Sequence, residues 1–265
     1  MKLLSIASGS SGNCIYVGNN NTSILIDAGI SKKRIEEGLS TIGLSLRDMD
    51  AILVTHEHAD HISGLGVLSR ACYAPIYTTI GTKAGIFSAS NLGKIDEEQF
   101  VTIAAGEDFL INDISVHAMR ISHDANDPVA YTFHDGDKHI AVATDMGYMT
   151  DENEQQLRGM NAILLEANHD LNMLQVGPYP YYLKQRIMGD KGHLSNESAG
   201  RALSRLVHDD LKHIVLGHLS HENNYPQLAY EAVRLEITMG DNPYNASDFD
   251  IRVAARKEPG RCIEI

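Results

Sequence analysis

The chain has 265 residues, 43% hydrophobic and 22% charged, enough for a substantial core and ordinary for a globular protein. Its formal net charge of −13 argues against nucleic-acid binding through overall charge, although bound cations or a local basic strip can reverse the field at a site. The 3 cysteines, Cys14, Cys72 and Cys262, include no C-x-x-C pair, which excludes a disulfide framework and a structural zinc site and points to a reducing, cytoplasmic compartment.

Residues 2–7 and 14–18 read as strands joined by Ser8-Gly9-Ser10-Ser11-Gly12-Asn13. The apolar run before this loop is too short for a signal peptide, and no stretch is long enough to span a membrane, so no membrane partner is expected. Small side chains let backbone amides approach an anion, which makes Ser10, Ser11 and Asn13 candidate substrate contacts. A strand from Thr22 to Ile26 ends at Asp27, and Ser31 supplies the N-cap of a helix to about Leu39. A further apolar strand, Asp50 to Thr55, runs into His56-Glu57-His58-Ala59-Asp60-His61, and helical spacing follows from Ser63 to Tyr73. Four good metal ligands on a strand-to-helix turn can be aimed at two neighbouring points, giving two metal sites.

Next come a strand at Ile76–Ile80, a helix near Lys83–Ser90, and strands over 100–121 that end at Ser122-His123-Asp124. Val129–Phe133 and His139–Thr144 flank Asp135-Gly136-Asp137, a hairpin signal, and the second strand ends at Asp145. Ala162–Leu165 ends at Glu166. Residues 168–192 read as a long irregular loop, aromatic and basic, with Lys184, Arg186 and Lys191 as a candidate DNA strip and His169 as a candidate substrate contact. A strong amphipathic helix spans 196–209, a strand His213–Gly217 ends at His218, and a helix near Gln227–Glu236 and a strand Phe249–Ala255 close the chain. Apolar strands thus end repeatedly in ionisable residues: Asp27, His56, Asp145, Glu166 and His218. Burying such groups is costly unless they are paired or metal-bound, so their convergence on one sheet edge predicts a site. With no linker or tandem repeat, residues 1–265 read as one domain, and the mixture of hairpins with alternating strands and helices fits an α+β, four-layered αβ/βα sandwich.

The hexapeptide 56–61 resembles the HxHxDH signature of the metallo-β-lactamase superfamily. The resemblance implies that same sandwich fold, and a ligand set in which His56, His58 and His123 bind one ion, Asp60, His61 and His218 a second, and Asp145 bridges them. Zn, Mn and Fe(II) all suit such ligands. Asp27 matches the family's first-strand Asp, which orients the ligand turn. Two Gly-His-Leu-Ser tetrapeptides compete for the last ligand; His218 follows a strand, whereas the segment at His193 resembles the His-containing motif of tRNA 3′-processing phosphodiesterases, with Glu166 as its orienting Glu. Asp60, His193 and Glu166 are therefore the expected catalytic residues. His193 serves as general acid or phosphoryl-binding group, beside a hydroxide shared by two ions.

The whole chain is similar to a narrower family, the YycJ/WalJ/VicX proteins, on Ser8–Asn13, Thr55–Ile62, Ser122–Asp124, Thr144-Asp145, Asn168–Asp170, Gly189–His193 and Leu216–Ser220. This implies a metal-dependent 5′→3′ exonuclease on double- and single-stranded DNA, a role in mismatch repair, and a functional link to a two-component cell-wall signalling system. The alternatives are a tRNA 3′-processing-like ribonuclease, a cyclic-nucleotide phosphodiesterase, and a non-catalytic modulator of that signalling system. The short stretch between Asp145 and His218 leaves no room for the domain that β-CASP nucleases insert there.

Overall fold

The computed structural model describes residues 1–265. The first half builds one sheet and the helices on its outer face: β1 (Lys2–Ala7), β2 (Cys14–Gly18), β3 (Ser23–Ile26), α1 (Lys32–Ser40), β4 (Ala51–Leu53), α2 (Ala59–Ile62), α3 (Leu65–Ala71), β5 (Ile76–Thr79), α4 (Ile80–Ser88) and β6 (Phe100–Ile103). The second half builds the other: β7 (Asp108–Ile111), β8 (Ile114–Arg120), β9 (Val129–Asp135), β10 (Lys138–Ala143), α5 (Asp151–Leu157), β11 (Ala162–Glu166), α6 (Leu171–Val176), α7 (Tyr181–Met188), α8 (Asn196–Leu206), β12 (His213–Gly217), α9 (Pro226–Met239) and β13 (Asp250–Val253). A last strand, β14 (Ile263–Glu264), returns to pair with β1. The sheets have strand orders β14-β1-β2-β3-β4-β5-β6 and β13-β12-β11-β10-β9-β8-β7.

Side-chain alternation explains the layering. In β4, Ala51 and Leu53 enter the apolar layer between the sheets, while Ile52 packs under the first sheet's helices. In β12, Val215 faces the other sheet, while Ile214 and Leu216 face α8 and α9. Strands apolar on both faces are what the continuous hydrophobic runs encode, because both faces are covered. Ala199, Ala202, Leu203 and Leu206 form the buried stripe of α8, which Ser195 caps by accepting from the Ser198 amide at 3.1 Å. The expected αβ/βα sandwich is what the chain adopts.

Each sheet joins an antiparallel hairpin region to a parallel one. The strands β3 to β6 run parallel, as do β10 to β13. Their carboxyl ends therefore lie along one edge of each sheet, where ligand sites form in parallel sheets.

Two expectations need correction. Residues 168–192 are not an irregular loop but carry α6 and α7. The strand at 250–253 does not close the chain, since β14 follows it. No helix is long and apolar enough to cross a membrane.

Candidate metal centre

Three strand ends turn sharply into the site. Asp27, Asp145 and His218 have φ of 61°, 61° and 54°, and only one other non-glycine residue, Asn112, lies in this left-handed region. The conformation costs about 1–2 kcal/mol at a residue with a Cβ. Its concentration at β3, β10 and β12 marks the edge where the fold trades stability for side-chain placement. The turn 56–61 is clamped to the end of β3. The Asn13 and Ala28 amides each donate, at 2.8 Å, to the carbonyls of Asp60 and His61. Gly29 is required there, because a Cβ would lie 1.6 Å from the Asp60 carbonyl oxygen.

The side chains form two adjoining pockets. His56, His58 and His123 bring ligand atoms within 4.8 Å of one another, as do Asp60, His61 and His218. His58 Nδ1 faces His123 Nε2 at 3.2 Å. Asp60 Oδ2 lies 3.2 Å from His218 Nε2 and 3.5 Å from His61 Nε2. Asp145 stands between the pockets. Its Oδ2 is 3.2 Å from His61 Nε2, and its Oδ1 is 3.5 Å from His218 Nε2 and 3.7 Å from His123 Nε2.

Two atoms test whether this set suits cations. His56 Nε2 and Asp145 Oδ2 are buried, face the centre and have no hydrogen-bond partner. A buried unpartnered polar atom costs about 1–3 kcal/mol. Lone pairs of imidazole and carboxylate converging on one space are the donor chemistry that divalent transition metals take, so the residues fit.

Behind the pockets, each imidazole is held by its far nitrogen. His61 Nδ1 donates to Asp27 Oδ2 at 2.7 Å, and His218 Nδ1 to Glu166 Oε1 at 3.0 Å. His56 Nδ1 donates to Thr55 Oγ1 at 3.0 Å, His123 Nδ1 to the Gly192 carbonyl at 3.1 Å, and His58 Nε2 to the Asp124 carbonyl at 3.2 Å. Burial disfavours the charged form of His56, His61, His123 and His218, yet the outcome differs. Burial holds the pKa of His56 well below its ordinary value, and that of His123 below it. At His61 and His218 the surrounding carboxylates overcome burial, and His218 is pushed up to about 10.

His193 sits at the junction. Its Nδ1 donates to Glu166 Oε1 at 2.7 Å, and its ring lies 5.1 Å from that of His123 and 5.4 Å from that of His218. Glu166 is fully buried; its other oxygen accepts from the Met146 and Leu194 amides at 2.8 and 3.2 Å. One carboxylate thus fixes both His193 and His218.

The remaining candidates fall differently. Ser10 and Ser11 form an exposed loop tip, whereas Asn13 is fully buried and shapes that loop. Its Oδ1 accepts from the Gly9 amide at 2.9 Å, and its Nδ2 lies 3.1 Å from His61 Nε2. His169 is buried, and burial lowers its pKa to about 4. Lys184 is spent on the carbonyls of Gln175 and Gly177, at 2.7 and 2.8 Å, and Arg186 on Asp124 at 2.5 Å. Of the expected basic strip, only Lys191 is exposed and unpaired. Sequence reasoning missed Thr55, whose hydroxyl also donates to Asp27 Oδ2 at 2.9 Å, and Asn168, whose Nδ2 donates to the His218 carbonyl at 3.0 Å. It also missed Glu57, which accepts from the Asn126 amide at 2.9 Å and so fixes the loop after His123. A hydroxyl directly before a ligand histidine was a usable signal; nothing local marked the other two.

Comparison with known proteins identifies the family and the fold. Residues 22–253 match a family described as the beta-lactamase superfamily domain. The chain is 41% identical to the exodeoxyribonuclease YycJ of Bacillus anthracis over 228 residues, covering 86% of each protein. It is 40% identical to the exodeoxyribonuclease WalJ of Streptococcus pneumoniae over 236 residues, covering 89% of this chain and 88% of that one. The fold superposes on Zn2+-bound PqqB from Methylobacterium extorquens with a TM-score of 0.71 at 18% identity over the full length of both. The chain belongs to the beta-lactamase superfamily and, within it, to the family of the exodeoxyribonucleases YycJ and WalJ.

Proposed function

We propose that residues 1–265 form one domain acting as a dinuclear-metal phosphodiesterase, a 5′→3′ exonuclease on double- and single-stranded DNA. One observation carries the reading: Asp145 stands between two three-residue pockets, and a buried carboxylate fixes a further histidine, His193, at their junction. The substrate class comes from the exodeoxyribonuclease relatives.

In this reading His56, His58 and His123 hold one divalent ion, Asp60, His61 and His218 a second, and Asp145 both; Zn, Mn and Fe(II) all suit the donors. Such a pair supplies a nucleophile near neutral pH and draws charge from the oxygens of an in-line displacement. The chain's own residues do the rest. Asp27 and Glu166 hold His61 and His218 in one tautomer by taking their Nδ1 protons. Burial lowers the pKa of His193, but Glu166, which accepts from its Nδ1, and Asp145 raise it overall, and the imidazolium so favoured has a proton on Nε2 to give to, or hydrogen-bond with, the ester oxygen that departs. A phosphodiester uses that group, because its leaving oxygen carries charge. A place in mismatch repair and a link to a two-component signalling system are carried over from the family resemblance alone.

The test is digestion of end-labelled duplex DNA by metal-stripped protein resupplied with Mn, Zn or Fe. Mononucleotides released from the 5′ end are expected. A single internal cut, or cleavage of a tRNA precursor in place of DNA, rules the exonuclease reading out.

A further inference from the structure

Next to the second pocket lies a cavity of about 340 Å3 walled in part by Leu219, His221, Arg256 and Lys257. Its distinctive group is the guanidinium of Arg256. Nε donates to the Leu219 carbonyl at 3.3 Å and Nη2 to the Ser220 carbonyl, so Arg256 grips the two residues that follow His218. Both partners are neutral. No carboxylate reaches ion-pair distance: Glu222 acts on Arg256 only through space and lies 2.8 Å from His221 Nδ1, and Glu258, the acid on the cavity wall, makes no ion pair. A guanidinium carries five donors, so Nη1 keeps both of its protons free. Arg256 is thus a half-buried cation with no ion-pair partner, whereas the exposed Lys33 and Arg205 find acids. An incoming anion would supply the missing partner.

A short loop connects this cation to the metal centre. Gly9 packs on the Arg256 stem, where a Cβ would come 2.9 Å from Arg256 Cγ and 3.2 Å from the Leu219 carbonyl oxygen. The Gly9 amide donates to Asn13 Oδ1 at 2.9 Å, and Asn13 Nδ2 lies 3.1 Å from His61 Nε2. Two residues, Gly9 and Asn13, therefore separate Arg256 from an atom of the second pocket. Between them the exposed tip, Ser10 and Ser11, faces the same wall, since Ser10 Oγ accepts from the His221 amide at 3.3 Å. Lys257 is exposed beside it, and Arg34 donates to the Arg256 carbonyl at 3.0 Å, adding further positive charge.

We propose that Arg256, with Lys257 and the Ser10–Ser11 tip, binds a phosphate of the DNA strand adjoining the phosphate under attack. The proposal rests on the nuclease reading. It replaces the 184–191 strip as the main phosphate contact, because Arg186 is already paired with Asp124 and Lys184 gives its ammonium to two carbonyls, whereas Arg256 spends Nε and Nη2 on carbonyls and keeps Nη1 free. A planar guanidinium fork suits phosphate bidentately, and a strand seated at the metal centre must lead its neighbouring phosphates past the adjoining wall. The phosphate has two sources, a terminal 5′-phosphate or an internal backbone diester.

The experiment measures binding of the metal-loaded protein to phosphorothioate-linked DNA by fluorescence anisotropy. Three forms of one sequence are used: a duplex with a 5′-phosphate, a duplex with a 5′-hydroxyl, and a closed circle. Arg256→Gln is expected to weaken binding about tenfold and to lower the salt slope by about one unit, with Arg256→Lys between it and the parent. Loss confined to the 5′-phosphorylated duplex identifies a terminal phosphate; equal loss on all three identifies the backbone. Metal per chain should stay at the parent's value, which separates lost phosphate binding from a collapsed His218 loop. If Arg256→Gln does lose metal, Lys257→Gln decides, with an expected weakening of about threefold from an exposed charge. Variants that bind every form as tightly as the parent overturn this proposal alone. A parent that binds none of the three overturns the nuclease reading as well.

Discussion

In the pocket of His56, His58 and His123 every imidazole's hydrogen bond goes to a neutral group, a threonine hydroxyl or a backbone carbonyl, with the Asp124 carboxylate further off, 3.8 Å from His58 Nε2 and 3.5 Å from His123 Nε2. In the pocket of Asp60, His61 and His218 both imidazoles lean on buried carboxylates, and the third donor is itself a carboxylate. The proton affinities divide the same way: His56 and His123 fall below their ordinary values, while His61 and His218 rise above theirs. A field that attracts a proton attracts a divalent cation more strongly. A carboxylate behind an imidazole also raises its basicity as a ligand. Two pockets built from similar residues differ in what stands behind them, and on the proposed reading the second should be the stronger cation trap.

The largest test of this contrast removes what the pockets share. Asp145→Ala should lower metal from the proposed two ions per chain to fewer than one and cut DNA turnover on the order of a thousandfold. Mass spectrometry of the native protein reads the first, labelled duplex the second. If one pocket emptied while the other stayed full, Asp145 would not serve both. Next is Glu166→Gln, which loosens the second pocket and frees His193 at once. Metal affinity there should fall roughly 10–100-fold. At saturating metal a further loss of about a hundredfold in turnover should remain, because His193 no longer has its partner. Full recovery on adding metal would remove His193 from the chemistry.

How far these residues could be read beforehand depended on distance along the chain. The turn 56–61 announced itself because six consecutive residues hold four ligands. Asp27, Asp145 and His218 were visible because each interrupts an apolar run at the point where its strand ends. The double duty of Glu166 was not visible. It depends on His193 and His218 meeting one oxygen from 27 and 52 positions away, His218 brought there by the parallel pairing of β11 with β12 and His193 by the segment between α7 and α8. The helices α6 and α7 escaped for a different reason. Leu174 is the one buried residue of α6 and α7 has none, so neither writes an apolar stripe into the sequence. The Asp170 cap, accepting from the Met173 amide at 2.8 Å, was their one local sign. The basic segment looked like a DNA strip because charge is legible in sequence while internal pairing is not. β14 is two residues long and pairs only across the full length of the chain.

A backbone substitution probes the contrast with a smaller effect. Gly29→Ala places a Cβ against the Asp60 carbonyl, so the turn carrying Asp60 and His61 must shift. A cost of about 1–3 kcal/mol in denaturant unfolding is expected, since a packed interior resists added volume. The second pocket should lose affinity with it and the first should not. Equal weakening of both would show that the turn moves as one body and that the two pockets are not independently supported.

The smallest effect is the order in which the ions leave. Dialysis of the loaded protein against a weak chelator should remove one ion well before the other, from the pocket of His56, His58 and His123. Thr55→Val removes the hydroxyl behind His56 and one donor to Asp27, but it leaves the charge behind His61 in place and should change that order little. Asp27→Asn keeps an oxygen for the Thr55 amide, and Asn tolerates the left-handed backbone at this position, yet the charge behind His61 is gone. It should bring the two release steps together, or merge them into one. Metal per chain followed against chelator concentration reads both variants without any assay of DNA cleavage. If the parent released its two ions in a single step, the buried carboxylates would be orienting their histidines without strengthening the second pocket's hold on its metal.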